Sequence, residues 1–446
     1  VAKKTRIIVF DDDPTGSQTV HGCLLLTRWD VATLAGALDD AAPLFFILTN
    51  TRGVDAAHAA AITREACHNL KIALAGQDIQ PVFVSRSDST LRGHYPVETD
   101  EIARELGPFD AHFLVPAFFE GGRFTRGSVH YLVSDGREIP VHETEFARDS
   151  VFGFRHSYLP DYVEEKTKGR IKAQSVVRLP LEDVRRGVYE QLLALHDNAC
   201  VVVDAEKQDD LDRFAADLLK AAGQGKRFLF RSAASLITSL AHLPPQPVPG
   251  AQMAQYVRGH APGAVIVGSH VPRTTRQLEE LLKQPDVVPI EVDVNRLADE
   301  RATLLKQVLA DAESAHRMKR TPVIFTSRTE RVFPDQKARL VFGEQVSGFL
   351  MDVVRGLPPT LGFLVSKGGI TSNDVLSSGL ALRTARLLGQ ILPGVSVVRC
   401  PHDHPRYPDL PVVIFPGNVG DDRALATVVE RLHPAPGARR AGATRS

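Results

Sequence analysis

The sequence predicts an α/β fold: two Rossmann-like α/β domains with mainly parallel sheets and a cleft between them. Short, β-rich apolar runs alternate with longer amphipathic segments, the grammar of βα units around a parallel sheet. A Pro-rich stretch interrupts that alternation mid-chain, and the same alternation then resumes. At 446 residues the chain also exceeds what one hydrophobic core usually supports.

In order, the first runs are RIIVF (6–10), LFFIL (44–48), PVFVS (81–85), AHFLV (111–115), ACVVVD (199–204) and RFLF (227–230). They stop at SLAHLPPQPVPGAQ, where Pro244, Pro245, Pro247, Pro249 and Gly250 oppose both helix and interior strand. A linker is expected over 244–262, between an N-terminal domain (1–243) and a C-terminal domain (263–432). The second domain carries AVIVG (264–268), VVPIEV (287–292), TPVIFT (321–326), LGFLVS (361–366), VSVVR (395–399) and PVVIF (411–415). Helical patterns such as TTRQLEELLK and DVLSSGLALRTARLLGQ lie between them. The tail over 433–446 is small, basic and Pro/Gly-rich, and is expected to be disordered.

Charge excludes some classes of partner. With 53 Lys+Arg against 53 Asp+Glu there is no global field to hold nucleic acid or an acidic membrane. Four scattered cysteines without metal-ligand spacing suit reduced thiols, and no run approaches the roughly 20 apolar residues of a membrane span. A cytoplasmic protein with small-molecule partners is expected; homo-oligomerisation is left open.

Ligands of open α/β sheets bind beyond the carboxyl ends of strands, so the residues just after each run matter most. After RIIVF comes FDDDPTGSQT, where Asp11, Asp12 and Asp13 precede Pro14, Thr15 and Gly16. A helix cap needs one side chain, and this loop offers three acids for protons, hydroxyls or Mg2+. After LFFIL comes Arg52, and after PVFVS come Arg86, Ser87, Asp88, Ser89, Thr90, Arg92 and His94. Arginines at adjacent strand ends suit a small anionic substrate, because the guanidinium fork matches a carboxylate or phosphate; surface Arg–Asp pairing is the plainer account. The loop PAFFEGGRFTRGSVHYL adds Glu120, Arg123, Thr125 and His130.

In the second half glycine and hydroxyl groups replace charge: Gly268 and Ser269; Gly368, Gly369, Thr371 and Ser372; Gly417, Asn418, Gly420 and Asp421. Three such strand-to-helix loops in one domain suit nucleotide phosphates bound by backbone N–H groups, although neither GxxxxGK[ST] nor GxGxxG is present where it would be needed. A metal site at His402, Asp403 and His404 is set aside for want of a third ligand and an open position.

These motifs, in this order, resemble the four-carbon acid sugar kinase family from about residue 5 to about 430. Asp12-Asp13-Pro14-Thr15-Gly16 is similar to its ADDxTG, Thr49-Asn50-Thr51-Arg52 to its TxSR turn, and Arg86 to Gly93 to its KxDSTLRG segment. PAFFEGGRFT, ETEFARDSVF, GSHVPRTTRQL, SKGGITSNDV and FPGNVGDD resemble further family stretches. The resemblance implies ATP-dependent phosphorylation of a hydroxyl of threonate, erythronate or an oxo-tetronate, with Mg2+. It assigns Asp12, Arg52, Arg86, Ser87, Asp88, Ser89 and Arg92 to substrate, with Asp12 or Asp13 acting on the attacking hydroxyl. Ser269, Gly368, Gly369, Ile370, Thr371, Ser372, Gly417 and Asn418 fall to ATP. The chain departs from the family at Arg86, where Lys is usual, at Ile370, where GGETS has Glu, and at Phe415-Pro416, where Lys precedes GN. A dehydrogenase or lyase of polyhydroxy acids, or a sensor without turnover, are the competing readings.

Overall fold

The computed structural model describes residues 4–134, 136–328 and 336–433. The expected tail lies outside this range from residue 434 onward. The chain divides into two compact units, Val1–Pro245 and Gln246–Ser446.

The first unit is built on β1 (Lys4–Asp11), β2 (Leu24–Leu26), β3 (Leu44–Leu48), β4 (Ile79–Arg86) and β5 (Ala111–Val115). A side ribbon follows, made of β6 (Arg123–Arg126), β7 (Val129–Ser134) and β8 (Arg137–Pro140). The chain then returns to the main sheet with β9 (Val177–Leu179), β10 (Ala199–Val203) and β11 (Phe228–Ser232). The sheet order is β2-β3-β1-β4-β11-β5-β10-β9, and every neighbouring pair is parallel. Helices cover it; Ala56–Leu74, for example, starts on an Asp55 cap whose side chain accepts from His58 N–H. Such strands are covered on both faces, which is why they read as unbroken apolar runs rather than alternating ones. Ile8, Phe10, Phe45, Ile47, Phe83 and Leu229 share one core cluster.

Because β3 and β4 flank β1 on opposite sides, the strand order reverses at β1. A crevice opens at such a reversal. The register brings Asp11 level with both Leu48 and Arg86, and Arg86 level with Ser232, so the loops after four strands emerge together.

The second unit contains β12 (Ala264–Val267), β13 (Val287–Val292), β14 (Thr321–Thr326), β15 (Leu364–Lys367), β16 (Thr384–Leu392), β17 (Val395–Arg399) and β18 (Pro411–Phe415). Their order is β13-β14-β12-β15-β18-β17-β16, parallel through β18 and antiparallel for the last two pairs. The reversal falls at β12, between β14 and β15.

The helical pattern expected over 374–390 is corrected. Residues Val375–Gly379 form one wide helical turn, and Thr384–Leu392 is strand β16. Leu, Ala, Arg and Gln favour helix, but pairing with β17 across Pro393-Gly394 overrides so weak a preference. Gly394 at φ +76° and Gly389 at φ +124° sit in backbone a helix does not use. The stretch expected to link the domains packs on the second unit from Gln246 onward: Met253 is fully buried, and the Gln246 amide bonds both backbone groups of Gln390.

Among the described residues no helix is long and apolar enough to cross a membrane. All four cysteines are buried.

Candidate active site

At the β1 reversal the three consecutive aspartates have three different surroundings. Asp11 is completely buried; Oδ1 lies 3.6 Å from Arg86 Nη1, and Oδ2 has no hydrogen-bond donor among the described residues. Burial, tempered by Arg86 and reinforced by Asp12 and Asp13, pushes its carboxyl up to about 8. Gly16 rests directly on it, since a Cβ there would lie 2.0 Å from Asp11 Oδ1.

Asp12 is buried but fully bonded. Arg52 donates to it through Nη2 and Nε, and Ser87 Oγ donates to Oδ2 at 2.6 Å. Asp13 accepts from Thr15 N–H at 2.8 Å and lies 3.4 Å from Arg52 Nη1. Burial raises its carboxyl, but Arg52, the Thr15 bonds and Arg86 outweigh burial and hold it below the usual range. Asp88 behaves alike: burial raises it, and Arg52 and Arg92, with the bonds from Thr90 and Arg92, more than reverse that and hold it low. Arg52 is therefore shared by three carboxylates. Burial works against its charge, and Asp12, Asp13 and Asp88 outweigh burial.

Beneath this layer lies an ion pair absent from the sequence reading. Arg231, from β11, donates from Nη1 to Glu98 Oε2 at 2.5 Å and to Ser85 Oγ at 2.8 Å, and from Nη2 to Ser87 Oγ at 2.8 Å. Thr51 also donates to Glu98. Gly93, at φ +123°, lies over this pair; a Cβ would come within 2.4 Å of Ser87 Oγ and 2.6 Å of Arg231 Nη2. Ser87, Asp88, Arg92, Tyr162, Arg231 and Ser232 line a small cavity here.

The other expected substrate residues are turned to internal partners. Arg86 faces Asp11. Ser89 is buried, and its carbonyl accepts from His130 Nε2, whose ring burial pushes down to about 4. Arg92 bonds Asp88 at 2.7 Å and lies 4.8 Å over the Phe146 ring. Arg123 differs: it bonds the Gly121 carbonyl, its buried Nε has no partner, and it reaches no carboxylate at ion-pair distance among the described residues.

In the second unit the glycine loops converge on Ser269. A Cβ on Gly368 (φ +116°) would lie 3.0 Å from Ser269 Cβ, and one on Gly417 would lie 3.6 Å from Ser269 Oγ. Thr274 Oγ1 bridges Ser269 Oγ and the Gly417 carbonyl, each at 3.3 Å. Gly268 is closed by Thr371, whose Oγ1 would be 2.3 Å from an added Cβ. Ser372 is fully buried and bonds Ser366 Oγ at 2.8 Å, so it braces the loop that Gly369 begins. Ile370, by contrast, is 74% exposed. The Asn418 carbonyl accepts from Arg273 at 2.7 Å. Cations that sequence reasoning overlooked also lie here. Arg328 bonds the Ser269 carbonyl while its buried Nε and Nη2 find no partner among the described residues. Lys367 is buried against Phe415. Small loops, a hydroxyl and unspent cationic donors around Ser269 fit phosphate groups. No cluster of three metal-ligating side chains occurs among the described residues; a nucleotide-borne Mg2+ requires only one or two protein carboxylates. His402 pairs with Asp409, and the His404 ring accepts from Tyr407 N–H and bonds the Leu380 carbonyl.

A crevice of acids and arginines in one α/β unit and a glycine-lined crevice in another define an α/β protein of two compact units. Family models agree: residues 7–240 match a sugar-binding N-terminal domain and residues 264–425 a nucleotide-binding C-terminal domain. The chain belongs to the four-carbon acid sugar kinase family. It is 31% identical over 224 residues to a Heliobacterium modesticaldum D-erythronate kinase, covering 47% of each chain. It is 29% identical over 157 residues to a Bordetella bronchiseptica D-threonate kinase, covering 33% of this chain and 36% of the other. The chain thus spans about half or less of the length of the curated relatives it matches. A Haemophilus influenzae structure shares the fold over 96% of this chain and 100% of its own, with a TM-score of 0.66 at 17% identity.

Proposed function

We propose that the protein is an ATP-dependent kinase that phosphorylates a hydroxyl of a four-carbon sugar acid, in the class of erythronate and threonate. The observation that carries this reading is Asp12, held between Arg52 and Ser87 at the strand reversal of the unit that matches a sugar-binding domain.

Phosphoryl transfer asks mainly for positioning and charge stabilisation. The acceptor hydroxyl oxygen forms the new bond to the γ-phosphorus, the bond from that phosphorus to the ADP oxygen breaks, and the hydroxyl proton passes to Asp12. Arg52 and Ser87 fix the rotamer of Asp12, so the carboxylate is oriented before substrate arrives. Arg86 and Arg92 already face Asp11 and Asp88, which leaves Arg123, close enough to Asp88 and Arg92 to feel their charges, to receive the substrate carboxylate. Asp88 accepts from substrate hydroxyls. In the second unit Ser269, Gly368, Thr371 and Gly417 surround the nucleotide phosphates, Ser372 braces that loop, and Mg2+ supplies charge neutralisation when bound with ATP.

The test is ADP release from Mg-ATP over a panel of four-carbon acids. Substrate-dependent ADP with at least one of them is expected. Nicotinamide-dependent oxidation, or cleavage of the same acids without ADP, would replace this reading, and acid binding without turnover would make the protein a sensor.

A further inference from the structure

Two neighbouring parallel strands of the second unit end side by side at the glycine crevice. β15 ends at Lys367 and β18 at Phe415, and the register pairs these two residues directly. Lys367 is completely buried, yet none of the described residues gives it a counter-charge. Nζ donates to the Pro416 carbonyl at 2.5 Å and the Gly417 carbonyl at 3.3 Å, and lies 3.9 Å from the centre of the Phe415 ring. No carboxylate reaches it among the described residues, and the charged group that acts on it is a second cation, Arg273. Burial first, and Arg273 second, push its ammonium down to about 7.

A buried lysine kept without an anionic partner is costly, and a hydrophobic residue of similar volume would serve packing better. The position of this one supplies a reason for it. The carbonyls it holds belong to the loop whose Gly417 lies against Ser269, and Gly368, the residue after Lys367, closes on the same serine. Lys367 therefore sits at the base of the crevice, beneath the glycine backbone that surrounds it.

We propose that Lys367, at the end of β15, supplies a charge that neutralises the phosphates of the bound nucleotide. The proposal rests on the reading of the second unit as the nucleotide site. It makes Lys367 a binding residue, and Phe415 the residue whose ring allows the ammonium to remain beneath the loop through a cation–π contact.

The experiment is calorimetric titration of the full-length protein with ADP and, separately, with adenosine. The variant is Lys367→Gln, whose amide can still donate to a loop carbonyl but has no charge; Lys367→Met takes its place if the glutamine variant does not fold. Loss of a charge-assisted phosphate contact should weaken ADP by about tenfold or more. Adenosine affinity should change less than about threefold, because adenosine has no phosphate. The double variant Lys367→Gln/Phe415→Lys should regain most of the ADP affinity. Unchanged ADP binding in the single variant would overturn the assignment while leaving the nucleotide reading intact. Equal loss of ADP and adenosine would also overturn it, because Lys367 would then only hold the loop. If the wild-type protein binds neither ligand, the nucleotide reading itself fails.

Discussion

Replacing Arg231 with methionine removes the cation beneath the acid-rich crevice while keeping most of its volume. Glu98 then keeps Thr51 as a donor and loses the guanidinium that holds its other oxygen. Its side chain is only 6% exposed, so water cannot take over that role. Leaving one member of a buried pair without its partner costs about 3–5 kcal/mol. A unit of this size loses about 2–4 °C of Tm per kcal/mol, so Arg231→Met should melt roughly 6–20 °C lower by calorimetry. Ser87 Oγ also loses its one cationic donor among three contacts, so Asp12 is less firmly oriented, and kcat should fall even at temperatures where the variant is folded. The double variant Arg231→Met/Glu98→Gln removes the stranded charge and should recover at least half of the lost stability while kcat stays low. A single variant within about 1 kcal/mol of wild type, or a double variant no more stable than the single, would refute the account of a buried pair supporting the site.

Asp12→Asn should lower kcat by about two to four orders of magnitude while ADP still binds; normal turnover would remove Asp12 from the proton transfer. Arg123→Ala should raise KM for the acid by about tenfold or more with a smaller change in kcat, and an unaltered KM in steady-state kinetics would return carboxylate recognition to Arg52. Asp11 gives a pH signature. Its folded value of about 8 stands above its ordinary 3.8, so the folded state holds the extra proton across that window. Its contribution to stability is therefore fully present below about pH 4 and is lost as pH rises through about 8. Asp11→Asn should flatten the fall in Tm between these limits, and an identical slope in both proteins would show that Asp11 is ionised in the folded state.

The residues at both reversals of the strand order were legible in the sequence, because doubly covered parallel strands leave continuous apolar runs and chemistry follows directly after them. The clustering of Asp12, Arg52, Ser87 and Asp88, and of Ser269, Gly368 and Gly417, follows from that rule. What the sequence hid depends on partners distant in the chain. Arg231 and Lys367 lie inside or at the end of apolar strands, and their importance emerges only from the register that sets them against Ser85, Ser87 and Phe415. A charged residue within a buried run was the available signal. The strand β16 was hidden by its helix-forming residues, although Pro393-Gly394 between two apolar stretches carried the mark of a hairpin turn.

Three adjacent carboxylates would repel one another if they shared one environment, and the turn after β1 separates them. Asp11 points down to Arg86 and under Gly16, where burial favours the neutral acid. Asp12 points across the crevice to Arg52 and Ser87, and Asp13 closes its own turn through Thr15. With Asp11 neutral, one negative charge beside Asp12 is removed and the charge of Arg86 acts on Asp13 as well, so Arg52 remains available to Asp12, Asp13 and Asp88 together. The run of aspartates thus has three settings, and of the three only Asp12 is bonded by both Arg52 and Ser87. Gly16 completes that arrangement: a Cβ at position 16 would overlap the Asp11 carboxylate, so a side chain there requires the buried acid to shift from its place beside Arg86.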